Sequence, residues 1–219
     1  KVLLVMFFVP IMLVAIPQDK GITEKEFLVA VDKGDIGLVK NFLASKINVN
    51  VTDSFGNTAL AIAIIRQNED VVKELIAAGA DINTQNKYSL TPILIASIGK
   101  NVEIIKSLVA AGANVNSKDK EGFTTLMLAS GKGNNEIVKF LIASGVDVNA
   151  KHKLGATALL KASQYGYAET VNLLISAGAD VNVRSASKTT VLMEAAIGGH
   201  AETIKVLTNN GADANAKDV

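Results

Sequence analysis

A five-residue string close to Gly-Ala-Asp-Val-Asn recurs along this chain at a constant interval. It occupies residues 79–83, 112–116, 145–149, 178–182 and 211–215. A threonine keeps the same interval, at Thr58, Thr91, Thr124, Thr157 and Thr190. A fixed period of this size is typical of small units stacked in a row, and such stacks present an extended surface to another macromolecule.

The copies agree at positions where packing should restrict the choice of residue. In this alignment Lys25 is the counterpart of the threonine in a first, divergent copy. Five residues on, the chain has Ala30, Ala63, Ala96, Ala129, Ala162 and Ala195. Seventeen residues on, it has Phe42, Leu75, Leu108, Leu141, Leu174 and Leu207. A row of alanines indicates the close approach of two helices, and the large apolar row indicates the buried stripe of a second helix.

Each unit is therefore predicted to be a helix, a turn, a second helix and an extended loop. The threonine stands where a helix N-cap belongs, and Pro92 follows Thr91 at the first helical position. The first copy has its own capping box, from Thr23 to Glu26. The second helices end at glycine, which adopts a left-handed C-cap readily. The first copy has Lys46 there, so we expect that helix end to be strained or differently shaped.

These residues resemble the ankyrin repeat family, whose unit has the same period, a Thr-Pro-Leu-His-x-Ala-Ala start and a Gly-Ala-Asp-x-Asn end. The resemblance covers residues 22–219 and implies an all-α solenoid of six stacked helix-turn-helix units with β-hairpin-like loops. One departure is systematic, because the family's histidine is replaced by apolar residues that can pack in its place. The replacements are Ala61, Leu94, Met127, Leu160 and Met193.

The first 17 residues are of a different composition. Lys1 is followed by an uncharged, strongly apolar run that ends at Pro17. A basic start and a short apolar stretch predict a secretory signal peptide over residues 1–17, with a linker over 18–21. We expect the mature chain to begin between Ala15 and Gly21, because charge resumes at Asp19. An uncleaved membrane anchor and a segment that caps the repeats are the alternatives.

Composition limits the chemistry of the chain. Only Lys1 of the 22 basic residues lies in the leader, so the remainder equals the 21 acidic residues. That balance argues against a dedicated nucleic-acid or membrane-surface binder. The chain has no cysteine, and we find no residue pattern for catalysis, a cofactor or a metal. His200 is predicted to be structural, His152 to be surface decoration in a loop, and Asn50 to bond loop backbone rather than carry a glycan.

The resemblance also implies where a partner protein would bind. Partners of this family usually meet the hairpin tips and the exposed face of the first helices, which lie one, three and four residues before each threonine and seven and eight after it. Ile98 and Ile197 occupy such positions. The partner-binding candidates are Phe55, Ile65, Arg66, Lys87, Tyr88, Leu90, Lys120, Phe123, Lys132, Lys153, Leu154, Gln164 and Tyr165.

Four of the eight aromatic residues after the leader fall on these positions, namely Phe55, Tyr88, Phe123 and Tyr165. Aromatic residues beside Lys and Arg are favoured at interface cores. The alternatives are that Phe123 and Leu90 pack against neighbouring hairpins, and that the lysines of the tips are only solvated. The expected function is an exported, monomeric, non-catalytic scaffold or regulator that binds another protein. A membrane-tethered adaptor and, less favoured, an enzyme or small-molecule binder are the alternatives.

Overall fold

The computed structural model describes residues 23–217, so the predicted leader and linker lie outside the described residues. Residues 23–217 form 12 helices. They are α1 (Glu24–Lys33), α2 (Ile36–Ala44), α3 (Ala59–Ile65), α4 (Glu69–Ala77), α5 (Pro92–Ile98), α6 (Val102–Ala110), α7 (Thr125–Ser130), α8 (Asn135–Ala143), α9 (Ala158–Gln164), α10 (Ala168–Ser176), α11 (Val191–Ile197) and α12 (Ala201–Asn209). None of these helices is long and apolar enough to cross a membrane.

The helices form two layers. Each odd-numbered helix packs against the even-numbered helix that follows it, which makes six pairs. Consecutive odd-numbered helices pack against one another in one layer, and consecutive even-numbered helices do so in the other. Each pair therefore contacts only its neighbours, as expected of a stacked repeat. The prediction of an all-α solenoid of six helix-turn-helix units is confirmed.

The threonines begin the odd-numbered helices as predicted. The Oγ1 atoms of Thr58, Thr124, Thr157 and Thr190 each accept a hydrogen bond from the backbone N–H three residues on. The predicted capping box between Thr23 and Glu26 is also present. Thr91 is the exception, because its buried Oγ1 has no hydrogen-bond partner, although Pro92 does occupy the first helical position. These caps position the first helix of each repeat relative to its loop.

The apolar rows form the core. All six row alanines are buried, as are the leucines at 75, 108, 141, 174 and 207. Phe42, in the first repeat, is only partly buried and packs against this core. Four of the residues that replace the family's histidine are buried, and only Met193, in the last repeat, is partly exposed. The apolar residues therefore pack where the histidine would bond.

The ends of the second helices show why glycine recurs there. Gly79, Gly112, Gly145, Gly178 and Gly211 all have φ between 81° and 93°. Lys46 keeps the same left-handed shape, with φ 58°. The predicted strain is therefore confirmed and a different shape is not found. A left-handed conformation costs a residue with a Cβ about 1–2 kcal/mol.

Loop contacts join one repeat to the next. The Oδ1 atoms of Asn50, Asn116, Asn149 and Asn182 accept hydrogen bonds from the backbone N–H at the next repeat's loop, at 2.8 to 3.1 Å. The prediction that Asn50 bonds loop backbone is confirmed. The tips are joined as well, since the N–H of Lys87 donates to Phe55, that of Lys153 to Glu121, and that of Ala186 to Leu154. Three antiparallel bridges, at Thr52–Thr58, Lys118–Thr124 and Arg184–Thr190, give the loops their hairpin character.

Candidate protein-binding surface

The odd-numbered helices form one layer of the stack and the even-numbered helices the other. We call the hairpin tips together with the odd-numbered layer the concave face, and the even-numbered layer the convex side. Seven large hydrophobic side chains in residues 23–217 have exposed fractions of 38% to 80%. Six of them lie on the concave face, and Leu38 of α2 is the exception. The six are Ile65, Tyr88, Ile98, Leu154, Tyr165 and Ile197.

The predicted aromatic row divides into two classes. Tyr88 and Tyr165 are exposed, whereas Phe55 and Phe123 are only partly exposed. Phe123 and Leu90 pack against the core, so the alternative of intramolecular packing holds for these two side chains. The ring of Phe123 also lies 4.6 Å from that of His152, between centroids. The tyrosines are therefore the aromatic groups of the row that are most accessible to a partner.

The basic side chains of the concave face also divide. Lys120 and Lys132 are exposed, as are Lys87 and Lys153. Two of these lysines reach back to the preceding tip: Lys87 Nζ donates to the Ser54 carbonyl at 2.7 Å, and Lys153 Nζ lies 3.6 Å from Glu121 Oε2. Arg66 is held by Asp32 at 2.7 Å. Exposed contacts of this kind contribute little stability, so these cations stay accessible to a competing carboxylate.

His152 is more than the surface decoration that the sequence indicated. It is partly buried, and its Nδ1 accepts a hydrogen bond from the backbone N–H of Leu154 at 2.8 Å. Asp53 and Asp119 occupy the same turn position and accept the corresponding bonds from Phe55 and Glu121. His152 therefore replaces a turn carboxylate, and the sequence interpretation of this residue was wrong. Its position five residues before Thr157 was the signal.

The hydrogen bond of His152 requires an unprotonated Nδ1. Burial lowers the pKa of His152 below its ordinary value, and the nearby charge of Lys161 lowers it further. A histidine whose pKa is lowered by folding stabilises the fold in its neutral form. Its contribution is therefore complete above the unfolded pKa near 6.5, and it is lost as the pH falls through the lower folded pKa.

We expect this histidine to make stability depend on pH. Between pH 7.5 and pH 5, the wild-type chain should lose about 0.5–1.5 kcal/mol more unfolding free energy than His152→Asp, the usual range for one hydrogen bond. The aspartate variant introduces the turn residue of two other repeats, Asp53 and Asp119, and titrates mainly below this window. Urea unfolding at the two pH values measures the difference. Equal pH dependence in both chains would contradict the role given to Nδ1.

His200 has the structural role that the sequence predicted. Its Nε2 lies 3.1 Å from the carbonyl oxygen of Gln164 in the preceding repeat, at the N-terminus of α12. Gln164 is partly buried beside Tyr165. Within residues 23–217, no group of three or more His, Asp or Glu side chains is arranged to hold a metal ion.

Two charged residues of the concave face were missed at the sequence level. Lys161 of α9 and Glu194 of α11 both stand four residues after their threonine and are partly buried. The equivalent residues in the preceding repeats are Ile62, Ile95 and Leu128. The change from apolar to charged residues within one row of the repeat alignment was the available signal.

The comparisons with known proteins agree with this geometry. A sequence model of ankyrin repeats matches three overlapping segments, residues 27–119, 93–185 and 126–218. A crystal structure of an ankyrin repeat domain from Acinetobacter baumannii AYE is similar at 35% identity, with a TM-score of 0.78, over 87% of this chain and 100% of that one. No curated protein matches the chain. Because the family model matches most of the chain and this structure agrees, the chain belongs to the ankyrin repeat family.

Proposed function

We propose that this chain is an exported, non-catalytic scaffold or regulator that binds another protein through its concave face. Repeats of this family generally serve as modules for binding other proteins, which supports the coarser part of the proposal. The observation that carries the choice of surface is the segregation of exposed apolar side chains. Six of the seven lie on the concave face of residues 23–217. Exposed apolar side chains gathered on one face often mark an interaction site.

The polar surroundings of these side chains also suit an interface. Tyr88 stands next to Lys87, Leu154 next to Lys153, and Tyr165 one repeat from Lys132. Binding surfaces commonly combine aromatic and aliphatic anchors with a polar rim. The convex side differs, because Leu38 alone of the seven exposed apolar side chains of residues 23–217 lies there, together with charged pairs such as Lys73–Glu69 and Lys106–Glu103. The concave face is therefore the favoured surface for a partner.

A single introduced cysteine can test this surface, because the chain has none of its own. Ile98→Cys and Leu154→Cys, each labelled with a photoreactive cross-linker, are expected to attach the partner in the native compartment. The matched controls are Lys73→Cys and Lys106→Cys on α4 and α6, which should attach it weakly. Mass spectrometry identifies the attached protein and the site. Equal or stronger attachment from the convex side would contradict the choice of the concave face.

Export rests on the apolar segment before the repeats. We expect soluble protein recovered from its native host to begin between Ala15 and Gly21, as measured by intact mass. Membrane-bound protein that retains residues 2–16 would instead favour the tethered adaptor. A soluble cytoplasmic species that retains residues 2–16 would contradict export.

A further inference from the structure

The residues four after each threonine, which we call the floor of the concave face, change from apolar to charged along the stack. The row four residues after each threonine begins with Ile62 and Ile95, which are both buried, and continues with the partly buried Leu128. The next two repeats place Lys161 and Glu194 in this row. A binding segment that follows the floor from the first repeats to the last therefore passes from an apolar half to a charged half.

Lys161 is a half-buried ammonium group that forms no ion pair within residues 23–217. Its Nζ lies 5.5 Å from the centre of the Phe123 ring and donates to Gln164 Oε1 at 3.3 Å. Within residues 23–217, no carboxylate comes within ion-pairing distance of this nitrogen. The aromatic face and the amide oxygen replace part of the lost hydration. Burial nevertheless lowers the pKa of Lys161, and the more distant charge of Glu194 opposes only part of this shift, so the charged form is incompletely compensated.

Glu194 is the second charged side chain in this part of the concave face. It lines a shallow pocket together with Ala156, Leu160, Lys161, Gln164 and Ser185. Its side chain belongs to none of the ion pairs of the described residues. Lys161 and Glu194 stand at equivalent positions of adjacent repeats, so their backbones are one helix spacing apart, about 8–10 Å. The pocket thus offers a donor cation and, one repeat on, an acceptor carboxylate.

We infer that the partner lays an extended segment in this floor and sets an acidic side chain against Lys161 and a basic one against Glu194. The inference rests on the proposed function and specifies the chemistry of its partner. An extended chain advances about 3.3 Å per residue and turns every second side chain to the same face, so two long charged side chains two residues apart, about 6.6 Å, fit the two positions. Apolar side chains of the segment meet the partly buried Leu128 and the exposed Ile98 of α5. The acidic residue therefore lies between the apolar stretch and the basic residue.

A displayed library of random 12-residue peptides tests this order of charges with the full chain as bait. The wild-type chain should enrich peptides with an apolar stretch, then an acidic residue, then a basic one, in either chain direction. The exchange Lys161→Glu with Glu194→Lys should enrich the reverse order of charges. The matched control is Lys139→Glu with Glu169→Lys, which exchanges an exposed lysine–glutamate pair of adjacent repeats at 3.2 Å on the convex side. The control should enrich the wild-type order.

A second measurement keeps the test decisive if the exchanged chain fails to fold, which circular dichroism would reveal. Lys161→Met keeps the aliphatic stem and removes the charge, and it should weaken the best acidic peptide at least about tenfold by fluorescence anisotropy. Lys205→Met on α12 should leave that affinity unchanged.

The outcomes separate the two levels of the proposal. Enriched peptides that lack the charge order, or the same order from the wild-type and the exchanged chain, would overturn the charge assignment and leave concave-face binding standing. An unchanged affinity of Lys161→Met would do the same. No enrichment by the wild-type chain would overturn the inferred extended segment, whereas the proposed concave-face binding is decided by the cross-linking comparison.

Discussion

Replacing Ala129 by leucine is expected to lower the free energy of unfolding by about 1–3 kcal/mol. Ala129 is fully buried in α7, whose neighbours are α5, α8 and α9. The alanine row lets these short helices approach closely, and a leucine needs room that only a shift of a neighbouring repeat can give. Urea unfolding followed by circular dichroism measures the loss.

The matched control is Ala110→Leu at the exposed end of α6 in the adjacent repeat, where a change below about 0.5 kcal/mol is expected. Because each repeat contacts only its neighbours, a weakened central contact should also divide the stack and reduce the steepness of the transition. Equal stability of the Ala129→Leu and wild-type chains would show that the alanine row does not mark close helix packing.

The fold was predictable because its main restraints repeat. Ala63, Leu75 and Gly79 each have at least four counterparts at the constant interval of the repeat. The alanine row allows helices to approach closely, the leucine row fills the core, and the glycine row adopts the left-handed helix end. A single copy would leave these assignments ambiguous. Five or six copies that agree make a chance pattern untenable, so the helices and their packing could be derived from the sequence.

The concave face was predictable only in part, because function resides where the repeats differ. Lys161 and His152 depart from their rows, and an alignment that averages the copies conceals such departures. The exposure of Phe123 depends on His152, which lies in the next hairpin along the chain. The positions of the face thus follow from the repeat, whereas the accessibility of each side chain depends on its neighbours in space.

Replacing Tyr88 and Tyr165 together by alanine is expected to weaken binding of the partner at least about a hundredfold. Interface aromatic residues commonly contribute about 2 kcal/mol or more each when truncated. Both tyrosines are exposed on the concave face, in the third and fifth repeats. They are better probes than Phe123, whose truncation would also remove its contacts with His152 and the Lys161 ammonium. Titration calorimetry with the cross-linked partner, once purified, gives the affinities.

The fold should tolerate this change, since exposed positions usually alter stability by less than about 0.5 kcal/mol each. The control replaces Lys73 and Lys106 by alanine on the convex side, where each lysine forms an ion pair with a glutamate of its own helix. Equal loss of binding from both double variants would point to a different surface. Unchanged binding by the tyrosine variant, accompanied by marked destabilisation, would show that the tyrosines pack within the stack. Loss of binding confined to the tyrosine variant would place the partner on the concave face, the extended surface that the repeated sequence predicts.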